Sequence, residues 1–403
     1  MTTAGVSWEA PTARESHAQE RDAAGRPGPA SSDSALDRRF MAAALALGRR
    51  NAGHTWPNPA VGTVIVRTDG PTPRVVAHGW TDVGGRPHAE VRALAAAGEA
   101  AKGATCYVSL EPCAHYGRTG PCSSALIEAG VGRVVSALDD PNPLVFGRGL
   151  KRIEAAGIPV TSGVLSEDAR RAHAGHIRKM LDGRPHVRLK LAISDDGMIG
   201  RTSEGQVKIS GPEAWARTHL LRTTTDAVLV GIGTVVADNP ELTCRLPGLL
   251  HRSPVRVVLD PSARLPLDSR LMQTIDIAPV WVVVAPDAPK PRMEALAERG
   301  AVVIPRLIRP GGELDLHDVL RGLSDRGLTT MLVEGGARVA RSFLDADFVD
   351  EAILYRAPMR IGTGGIPALG GLDVDAVFDR PRFDLLRERL VGVDRMTHFW
   401  RAT

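Results

Sequence analysis

Short runs of β-branched residues alternate with helix-forming segments along most of the chain. Residues 61–66 (VGTVIV) and 280–285 (VWVVVA) are two such runs, and continuous apolar runs of this length are typical of strands that are buried on both faces. Helical stretches begin near Pro87 and Pro212. Strands that alternate with helices in this way predict an α/β fold.

The alternation occurs twice, which predicts two domains. A chain of 403 residues is too long for one typical core. We predict a first α/β domain at 34–165, a polar connecting helix at 166–184 and a second α/β domain at 185–403. Residues 1–33 carry almost no large apolar side chains, so we expect a disordered tail, with a partner-binding tail as the alternative.

Composition excludes several classes of function. The net charge is only +4, and aromatic residues make up 4% of the chain, so stacking platforms for single-stranded nucleic acid are scarce. This low net charge and low aromatic content suit a small anionic ligand better than a polyanion. The sequence shows neither an apolar run of membrane-spanning length nor a signal peptide pattern, and we therefore expect a cytoplasmic protein.

Two cysteines, Cys113 and Cys122, flank a short loop in the stretch 110–122 (LEPCAHYGRTGPC). They are compatible with a zinc site, a disulfide or an ordinary turn between a strand and a helix. Thiols stay reduced in the cytoplasm, which weighs against the disulfide.

A histidine and a glutamate at the start of an upstream helix favour zinc. A deaminase of the zinc class needs three protein ligands, a fourth position open to water and a carboxylate that is not a ligand. His88, Cys113 and Cys122 supply the ligands for one zinc ion, and Glu90 supplies the carboxylate that moves a proton from water to the departing amine. Helix N-termini at these positions favour thiolate over thiol.

A purely structural zinc is the competing interpretation. Such a site normally closes with a fourth protein ligand, and only His115 lies near enough in the sequence to supply one. A lone His-x-Glu or an isolated pair of cysteines would be weak evidence. Together they follow the order of the deaminase site.

The spacing of the two cysteines indicates a narrower group of zinc-dependent deaminases. Deaminases that act on nucleic acids or cytidine carry Pro-Cys-x-x-Cys, whereas here a longer loop separates the two cysteines. With WPNPAVG at 56–62 and DDPNPLVFGRGL at 139–150, this loop resembles the deaminases of riboflavin biosynthesis, which join their deaminase domain to a C-terminal reductase. The resemblance covers roughly residues 35–403.

The resemblance implies a substrate and three contacts for the first domain. The substrate would be 2,5-diamino-6-ribosylamino-4(3H)-pyrimidinone 5′-phosphate, which loses its 2-amino group by hydrolysis. Asn58 would bind the pyrimidine, Arg118 the phosphate, and Asn142 the base or ribose. Read alone, the two asparagines are turn residues beside proline, and Arg118 is a solvated surface charge. Thr81 stands where many members of the family have a histidine.

The glycine patterns in the second domain are less specific than the candidate zinc ligands of the first. Residues 228–238 (VLVGIGTVVAD) lack the third glycine of a Rossmann fingerprint. Residues 331–340 (MLVEGGARVA) form a strand, a diglycine and a helix start, which suits either a phosphate at the helix N-terminus or a tight turn without a ligand.

Four further segments resemble the reductase half of the same family, which looks like dihydrofolate reductase in fold. They are LKLAISDDG at 189–197, HLLR at 219–222, GTVVADNPELTCR at 233–245 and EGGARVA at 334–340. The fold class is thus an N-terminal cytidine-deaminase-like α/β/α sandwich plus a C-terminal dihydrofolate-reductase-like α/β domain. The reductase would use NADPH to convert the ribosyl group to ribityl.

The resemblance also implies which residues of the second domain bind ligands. It assigns NADPH to six positions and the substrate to four, with the arginines on the substrate's phosphate. The cofactor residues would be Ala192, Thr234, Asp238, Gly335, Gly336 and Ala337, and the substrate residues would be Arg222, Leu242, Arg245 and Glu334. A surface ion pair for each arginine and a helix cap for Asp238 are the alternatives.

One departure from the family's sequence pattern keeps other interpretations of the function open. Gln206 and Lys208 stand where the family usually has Ser-x-Trp, and Lys208 could serve the 2′-phosphate of NADPH instead. A diverged relative with only its deaminase active is therefore the first alternative. A nucleic-acid base deaminase and a non-catalytic zinc scaffold are the others. The family resemblance also implies a homo-oligomer formed through the reductase domain.

Overall fold

The part of the chain that the structure describes begins at the first helix. A computed structural model describes residues 33–116, 120–202, 207–379 and 381–402. Helix α1 (Asp33–Gly48) opens the first unit, within one residue of the predicted start of the first domain at 34. Most of the predicted disordered tail, residues 1–32, lies outside the described residues.

The first unit is built on a five-stranded sheet. Its strands are β1 (Gly62–Arg67), β2 (Arg74–Trp80), β3 (Thr105–Val108), β4 (Arg133–Ser136) and β5 (Val160–Thr161). Their order is β2-β1-β3-β4-β5. Because β1 is antiparallel to both β2 and β3, the carboxyl ends of β2 and β3 lie at the same edge of the sheet.

Helices cover this sheet, and three of them begin at that edge, where α1 ends. The three are α2 (Ala89–Ala97), α3 (Cys122–Glu128) and α4 (Arg148–Ala155). Strand β2 and helix α2 approach so closely at Gly79 that a Cβ there would lie 2.3 Å from the carbonyl oxygen of Ala89. This close contact fixes the start of α2 against the sheet.

The connection between the two units consists of two helices rather than the single predicted one. Helices α5 (Ser166–Ala172) and α6 (Ala174–Asp182) meet at His173. The His173 ring is buried, and its Nε2 lies 3.0 Å from the carbonyl oxygen of Ser109. Because a carbonyl only accepts, Nε2 donates, and this contact holds the break in the connection against the first unit.

The second unit is built on a nine-stranded sheet. Its strands are β6 (His186–Ile193), β8 (Ala227–Gly231), β9 (Val255–Leu259), β10 (Val280–Val284), β11 (Val302–Pro305), β12 (Thr330–Val333), β13 (Glu351–Arg356), β15 (Phe383–Val391) and β16 (Asp394–Arg401). Their order in the sheet is β11-β10-β9-β8-β12-β6-β13-β16-β15. The first seven strands in this order are parallel, and the last two form an antiparallel hairpin. A small separate pair consists of β7 (Met198–Arg201) and β14 (Gly365–Pro367).

Both faces of the large sheet are buried. Leu229 of β8 packs in one apolar core and Val228 and Val230 pack in the other, as expected for a parallel strand between two layers of helices. The helices are α7 (Pro212–Thr223), α8 (Ile232–Asp238), α9 (Arg270–Gln273), α10 (Lys290–Glu298), α11 (Leu316–Asp325), α12 (Ala337–Asp345) and α13 (Val374–Val377). The α/β prediction is confirmed.

Several contacts join the two units. The ring of Trp56 packs edge-on against Trp281, with ring centroids 6.3 Å apart, and contributes to the core of the large sheet. The guanidinium of Arg252 donates hydrogen bonds to the carbonyl oxygens of Arg50 and Ala52. Among the described residues, no helix combines the length and apolarity that a membrane crossing requires.

Candidate active sites

The structure brings the three predicted zinc ligands together at the edge where β2 and β3 end. His88 is the N-cap residue of α2, Cys113 lies in the loop after β3, and Cys122 is the first residue of α3. All four cysteines are free thiols, so Cys113 and Cys122 do not form a disulfide.

The spacing of the ligand atoms fits a tetrahedral zinc ion. Nδ1 of His88 lies 3.3 Å from Sγ of Cys122 and 3.7 Å from Sγ of Cys113. Usual zinc–nitrogen and zinc–sulfur bond lengths place such atoms about 3.6 Å apart around a tetrahedral ion. Among the described residues, these three form the only cluster of His, Cys, Asp or Glu with metal-site spacing.

A backbone donor at the start of α3 stabilises negative charge on Cys113. Its sulfur accepts the backbone N–H of Cys122 at 3.2 Å. A hydrogen bond with the Cys122 side chain, together with bonds from His88 and from this N–H, lowers the pKa of Cys113 to about 4. The same shared proton and burial raise the pKa of Cys122. A thiolate is therefore already favoured at one ligand before a cation adds its own attraction.

Glu90 lies in the first turn of α2, two residues after His88, and is buried. Burial raises the pKa of its carboxyl to about 7, against the opposing charge of His88. A carboxyl poised near neutrality beside the ligand cluster can both accept and return a proton.

A second buried carboxylate, Glu111, was missed at the level of sequence. It directly precedes Pro112 and Cys113, and it accepts backbone N–H groups from four residues of the 139–150 segment. These donors are Asp140 at 3.1 Å, Gly147 at 2.9 Å, Gly149 at 2.8 Å and Leu150 at 3.3 Å. Glu111 thus holds this segment beside the predicted zinc ligand Cys113. A charged residue between a buried strand and a proline was the available clue.

Two of the three predicted substrate residues of this site, Asn58 and Asn142, form hydrogen bonds with backbone groups. The Asn58 side-chain amide donates to the carbonyl oxygen of Gly85 at 2.9 Å. Oδ1 of Asn142 accepts the backbone N–H of Leu144 at 3.0 Å, which is turn chemistry. Thr81 is buried and its hydroxyl accepts the N–H of Val61. Arg118 lies outside the described residues.

The second unit holds a large cavity at the carboxyl ends of β6, β8, β9 and β12. Its volume is about 1980 Å³, and ligands of parallel sheets usually bind at this end of the strands. All ten residues predicted to bind cofactor or substrate line it: Ala192, Arg222, Thr234, Asp238, Leu242, Arg245, Glu334, Gly335, Gly336 and Ala337. Lys208 also lines the cavity, whereas Gln206 lies outside the described residues.

A buried ion pair stands in the wall of this cavity. The guanidinium of Arg222 donates to both carboxylate oxygens of Glu334, at 2.7 and 2.9 Å, and to the carbonyl oxygen of Thr243 at 2.8 Å. Burial alone would raise the pKa of Glu334, but the charge and hydrogen bonds of Arg222 outweigh it and lower the pKa. Glu334 therefore stays ionised, and Arg222 fixes its orientation.

The glycine turn at 335–337 sits against α8. The hydroxyl of Thr234 accepts the backbone N–H of Gly336 at 3.3 Å, and α12 begins at Ala337. The turn and Thr234 therefore form one surface with a helix N-terminus directly behind it, which suits a phosphate-bearing cofactor.

Two cavity residues, Lys190 and His219, were also missed at the level of sequence. Burial lowers the pKa of Lys190, which faces Glu334. His219 accepts the backbone N–H of Arg245 at Nδ1. Both belong to segments that the family resemblance had already marked, at 189–197 and 219–222, and that was the only clue.

Comparison with known proteins matches each unit to a family. Residues 34–138 match the cytidine and deoxycytidylate deaminase zinc-binding region, and residues 185–396 match the RibD C-terminal domain. The riboflavin biosynthesis protein RibD of Escherichia coli (strain K12) is 39% identical over 375 residues, which covers 90% of this chain and 98% of that protein. The protein of the same name from Aquifex aeolicus (strain VF5) is 37% identical, covering 91% and 99%.

Solved structures agree with these matches. Acinetobacter baumannii RibD, form 1, superposes with a TM-score of 0.80 at 36% identity, covering 92% of this chain and 100% of that one. A diaminohydroxyphosphoribosylaminopyrimidine deaminase/5-amino-6-(5-phosphoribosylamino)uracil reductase from Thermotoga maritima superposes with a TM-score of 0.78 at 31% identity, covering 92% and 99%.

Proposed function

This chain belongs to the RibD family of riboflavin biosynthesis proteins, and we propose which of its residues carry out the two reactions of that family. It is a bifunctional enzyme with a deaminase domain and a reductase domain, and its cofactors are zinc and NADPH. We place the deaminase at 34–165, the connecting helices within 166–184 and the reductase at 185–403.

His88, Cys113 and Cys122 hold the zinc ion in this proposal. The observation that carries it is the 3.3 and 3.7 Å spacing of His88 Nδ1 from the two sulfurs, which is the edge length that a tetrahedral zinc ion requires. When bound, zinc supplies the Lewis acidity that activates water for attack on the carbon bearing the amino group.

Glu90 moves the protons of the deamination. Its buried carboxyl accepts a proton as water adds to the ring and returns it to the departing amine, which leaves as ammonia. A pKa of about 7 supports this double role. The substrate is the diaminopyrimidine ribosyl 5′-phosphate that the name of the Thermotoga maritima relative specifies. Asn58, Arg118 and Asn142 bind it.

The cavity of the second unit carries out the reduction. When bound, NADPH would supply the hydride that adds to C1′ of the ribosyl group; the bond from C1′ to the ring oxygen breaks, and the ring oxygen takes up a proton to give the ribityl chain. Thr234, Asp238 and the turn at 335–337 bind the cofactor, with Ala192 beside the nicotinamide. Four residues bind the deaminated substrate: Arg222, Leu242, Arg245 and Glu334. Arg222 contributes chiefly by holding Glu334, since its guanidinium already donates three hydrogen bonds.

We further propose a cytoplasmic homo-oligomer that acts on small molecules rather than nucleic acid. The scarcity of aromatic residues supports the second point. Leu385, Leu390 and Val393, exposed on the C-terminal hairpin, support self-association through the reductase.

Replacing Glu90 by Gln tests the proposal. The amide cannot shuttle a proton, so we expect deamination to fall by about 10²–10⁴-fold, with zinc content and NADPH oxidation on deaminated substrate unchanged. Glu99→Gln changes an exposed glutamate just beyond the same helix and serves as the control. Full deamination by the E90Q enzyme would contradict the assignment of Glu90.

A further inference from the structure

Helix α6, in the connection between the two units, carries a buried histidine that contacts the deaminase. Nε2 of His176 lies 2.7 Å from Oδ1 of Asp140, and each of the two residues is 6% exposed. Because a carboxylate oxygen only accepts, Nε2 donates this hydrogen bond. A hydrogen bond to a carboxylate is stronger than one between neutral groups, so the contact ties α6 to the 139–150 segment.

The other nitrogen of the His176 ring has no such contact. Nδ1 is buried and lacks a hydrogen-bond partner in the described part of the chain. A buried polar atom without a partner destabilises a fold. If this position required only packing, a phenylalanine ring would fill the space without that cost. The contact that distinguishes histidine from phenylalanine here is the hydrogen bond to Asp140.

Asp140 in turn holds the backbone around Asn142. The same Oδ1 that accepts from His176 also accepts the backbone N–H of Asn142 at 2.9 Å. Oδ1 of Asn142 accepts the backbone N–H of Leu144 at 3.0 Å, so the shape of this turn sets the orientation of the Asn142 side chain. One oxygen of Asp140 thus joins the connecting helix to the turn that carries a proposed substrate residue.

Helix α6 is itself fixed against both units. At its start, His173 donates to a backbone carbonyl of the deaminase unit at 3.0 Å. On the side of the reductase, Gly175 lies so close to the start of β12 that a Cβ there would lie 2.5 Å from Cγ2 of Thr330. Close packing of this kind leaves little room for the helix to shift. The ring of His176, at the next position, is therefore carried by a rigid support.

We propose that His176 is a positioning residue for deamination. By holding Asp140, it fixes the turn that presents Asn142 to the base or ribose of the substrate, without itself contacting the substrate. This inference rests on the proposed substrate contact of Asn142. It extends the deaminase site into the helix that connects the two units.

Three substitutions of His176 separate its hydrogen bond from the packing of its ring. His176→Phe keeps a ring of similar size and removes the donor. His176→Asn also removes the donor, because the shorter amide does not reach the place of Nε2. His176→Gln keeps a donor, since its side-chain nitrogen can reach that place. Leu181→Gln changes an exposed side chain of the same helix and serves as the control.

The measurements are KM and kcat for deamination by the full-length chain, with zinc content and with NADPH oxidation on deaminated substrate as reports on folding. We expect H176F and H176N to raise the KM for the diaminopyrimidine substrate about tenfold, with kcat and zinc content close to wild type. Such a pattern indicates lost binding rather than lost chemistry. H176Q should keep most of the wild-type affinity, and L181Q should match wild type.

A double-mutant cycle with Asn142→Ala tests whether His176 acts through Asn142. N142A alone should raise KM. Adding H176F should then raise it no further, because the contact that His176 supports is already lost.

Three results would overturn the proposal: a wild-type KM in H176F, an H176Q enzyme as impaired as H176F, or an equal rise in KM from H176F with and without Asn142. Should H176F lose NADPH oxidation through misfolding, the comparison of H176N with H176Q decides in its place. A wild-type KM in N142A would instead overturn the proposed substrate contact of Asn142.

Discussion

Glu111 shows how one buried carboxylate shapes the deaminase site without belonging to the reacting groups. Its two oxygens accept four backbone N–H groups from the 139–150 segment. The same segment comes so close to Pro112 at Gly149 that a Cβ there would lie 1.9 Å from the Pro112 carbonyl oxygen. The loop that carries Asn142 is therefore held against the residue before Cys113.

Replacing Glu111 by Gln is expected to disturb that loop. The amide nitrogen would face backbone donors that it cannot accept, at a cost of about 1–3 kcal/mol in the free energy of unfolding. Deamination should fall, whereas NADPH oxidation by the other domain should not. Urea unfolding and the two assays measure these effects, and Glu128→Gln, on the exposed face of α3, is the control. An E111Q enzyme as stable and active as E128Q would contradict the role given to Glu111.

At the scale of residues, the sequence predicts metal ligands better than it predicts the residues whose hydrogen bonds hold a site in place. His88, Cys113 and Cys122 are a rare combination of residue types in a fixed order, and the structure brings them together. Glu111 and His219 depend on partners up to 39 and 26 residues away. Nothing in their immediate neighbours specifies those contacts, because hydrogen bonds across a fold follow from its three-dimensional packing.

At the scale of elements, the predicted strands follow from β-branched runs that are buried on both faces. The runs at 61–66 and 280–285 form strands β1 (Gly62–Arg67) and β10 (Val280–Val284), within one residue of the predicted bounds. The C-terminal hairpin of β15 and β16 was not predicted, because its half-exposed strands mix charged and apolar residues (FDLLRERLV in β15) without a continuous apolar run. The break between α5 and α6 was missed because it depends on the His173 contact with Ser109.

A charged network joins β6 to the C-terminal hairpin, and it predicts that the folded state loses stability in acid. Buried Glu351 of β13 accepts from Arg188 at 2.7 Å and contacts His186 at 3.2 Å and His398 at 2.7 Å. Burial opposes ionisation, but these partners together hold the pKa of Glu351 well below its usual value.

The sign of the pH dependence follows from that lowered pKa. The folded chain binds a proton at Glu351 less readily than the unfolded chain, whose glutamates titrate near pH 4. The network's stabilisation is therefore complete above about pH 5 and is lost as the pH falls below the unfolded pKa towards the folded one. Glu351→Gln should lower the free energy of unfolding at pH 7 by about 3–5 kcal/mol and flatten its slope below pH 5. Urea titrations from pH 7 to pH 3.5 measure this, and equal slopes for wild type and E351Q would contradict it.

At the scale of the whole molecule, the two catalytic units are packed together rather than merely linked. Trp56 lies two residues before the proposed substrate contact Asn58 and packs into the reductase core. Arg252 of the reductase bonds carbonyl oxygens of the same deaminase segment. We therefore expect the units to unfold cooperatively.

Trp56→Ala tests this packing. Loss of the indole should cost about 3 kcal/mol and separate the unfolding into two transitions by scanning calorimetry, one for each unit. Val83→Ala changes an exposed side chain of the deaminase and should leave one transition. A single unchanged transition in W56A would show that other contacts dominate the interface.

The assignment of deamination to the zinc-binding unit and of reduction to the other unit is tested most directly by removing zinc from the wild-type enzyme. The purified chain should contain one zinc ion, and chelation should abolish deamination while NADPH oxidation on deaminated substrate continues. Adding zinc back should restore deamination. A preparation that deaminates without zinc, or that loses both activities together on chelation while remaining folded, would contradict the account.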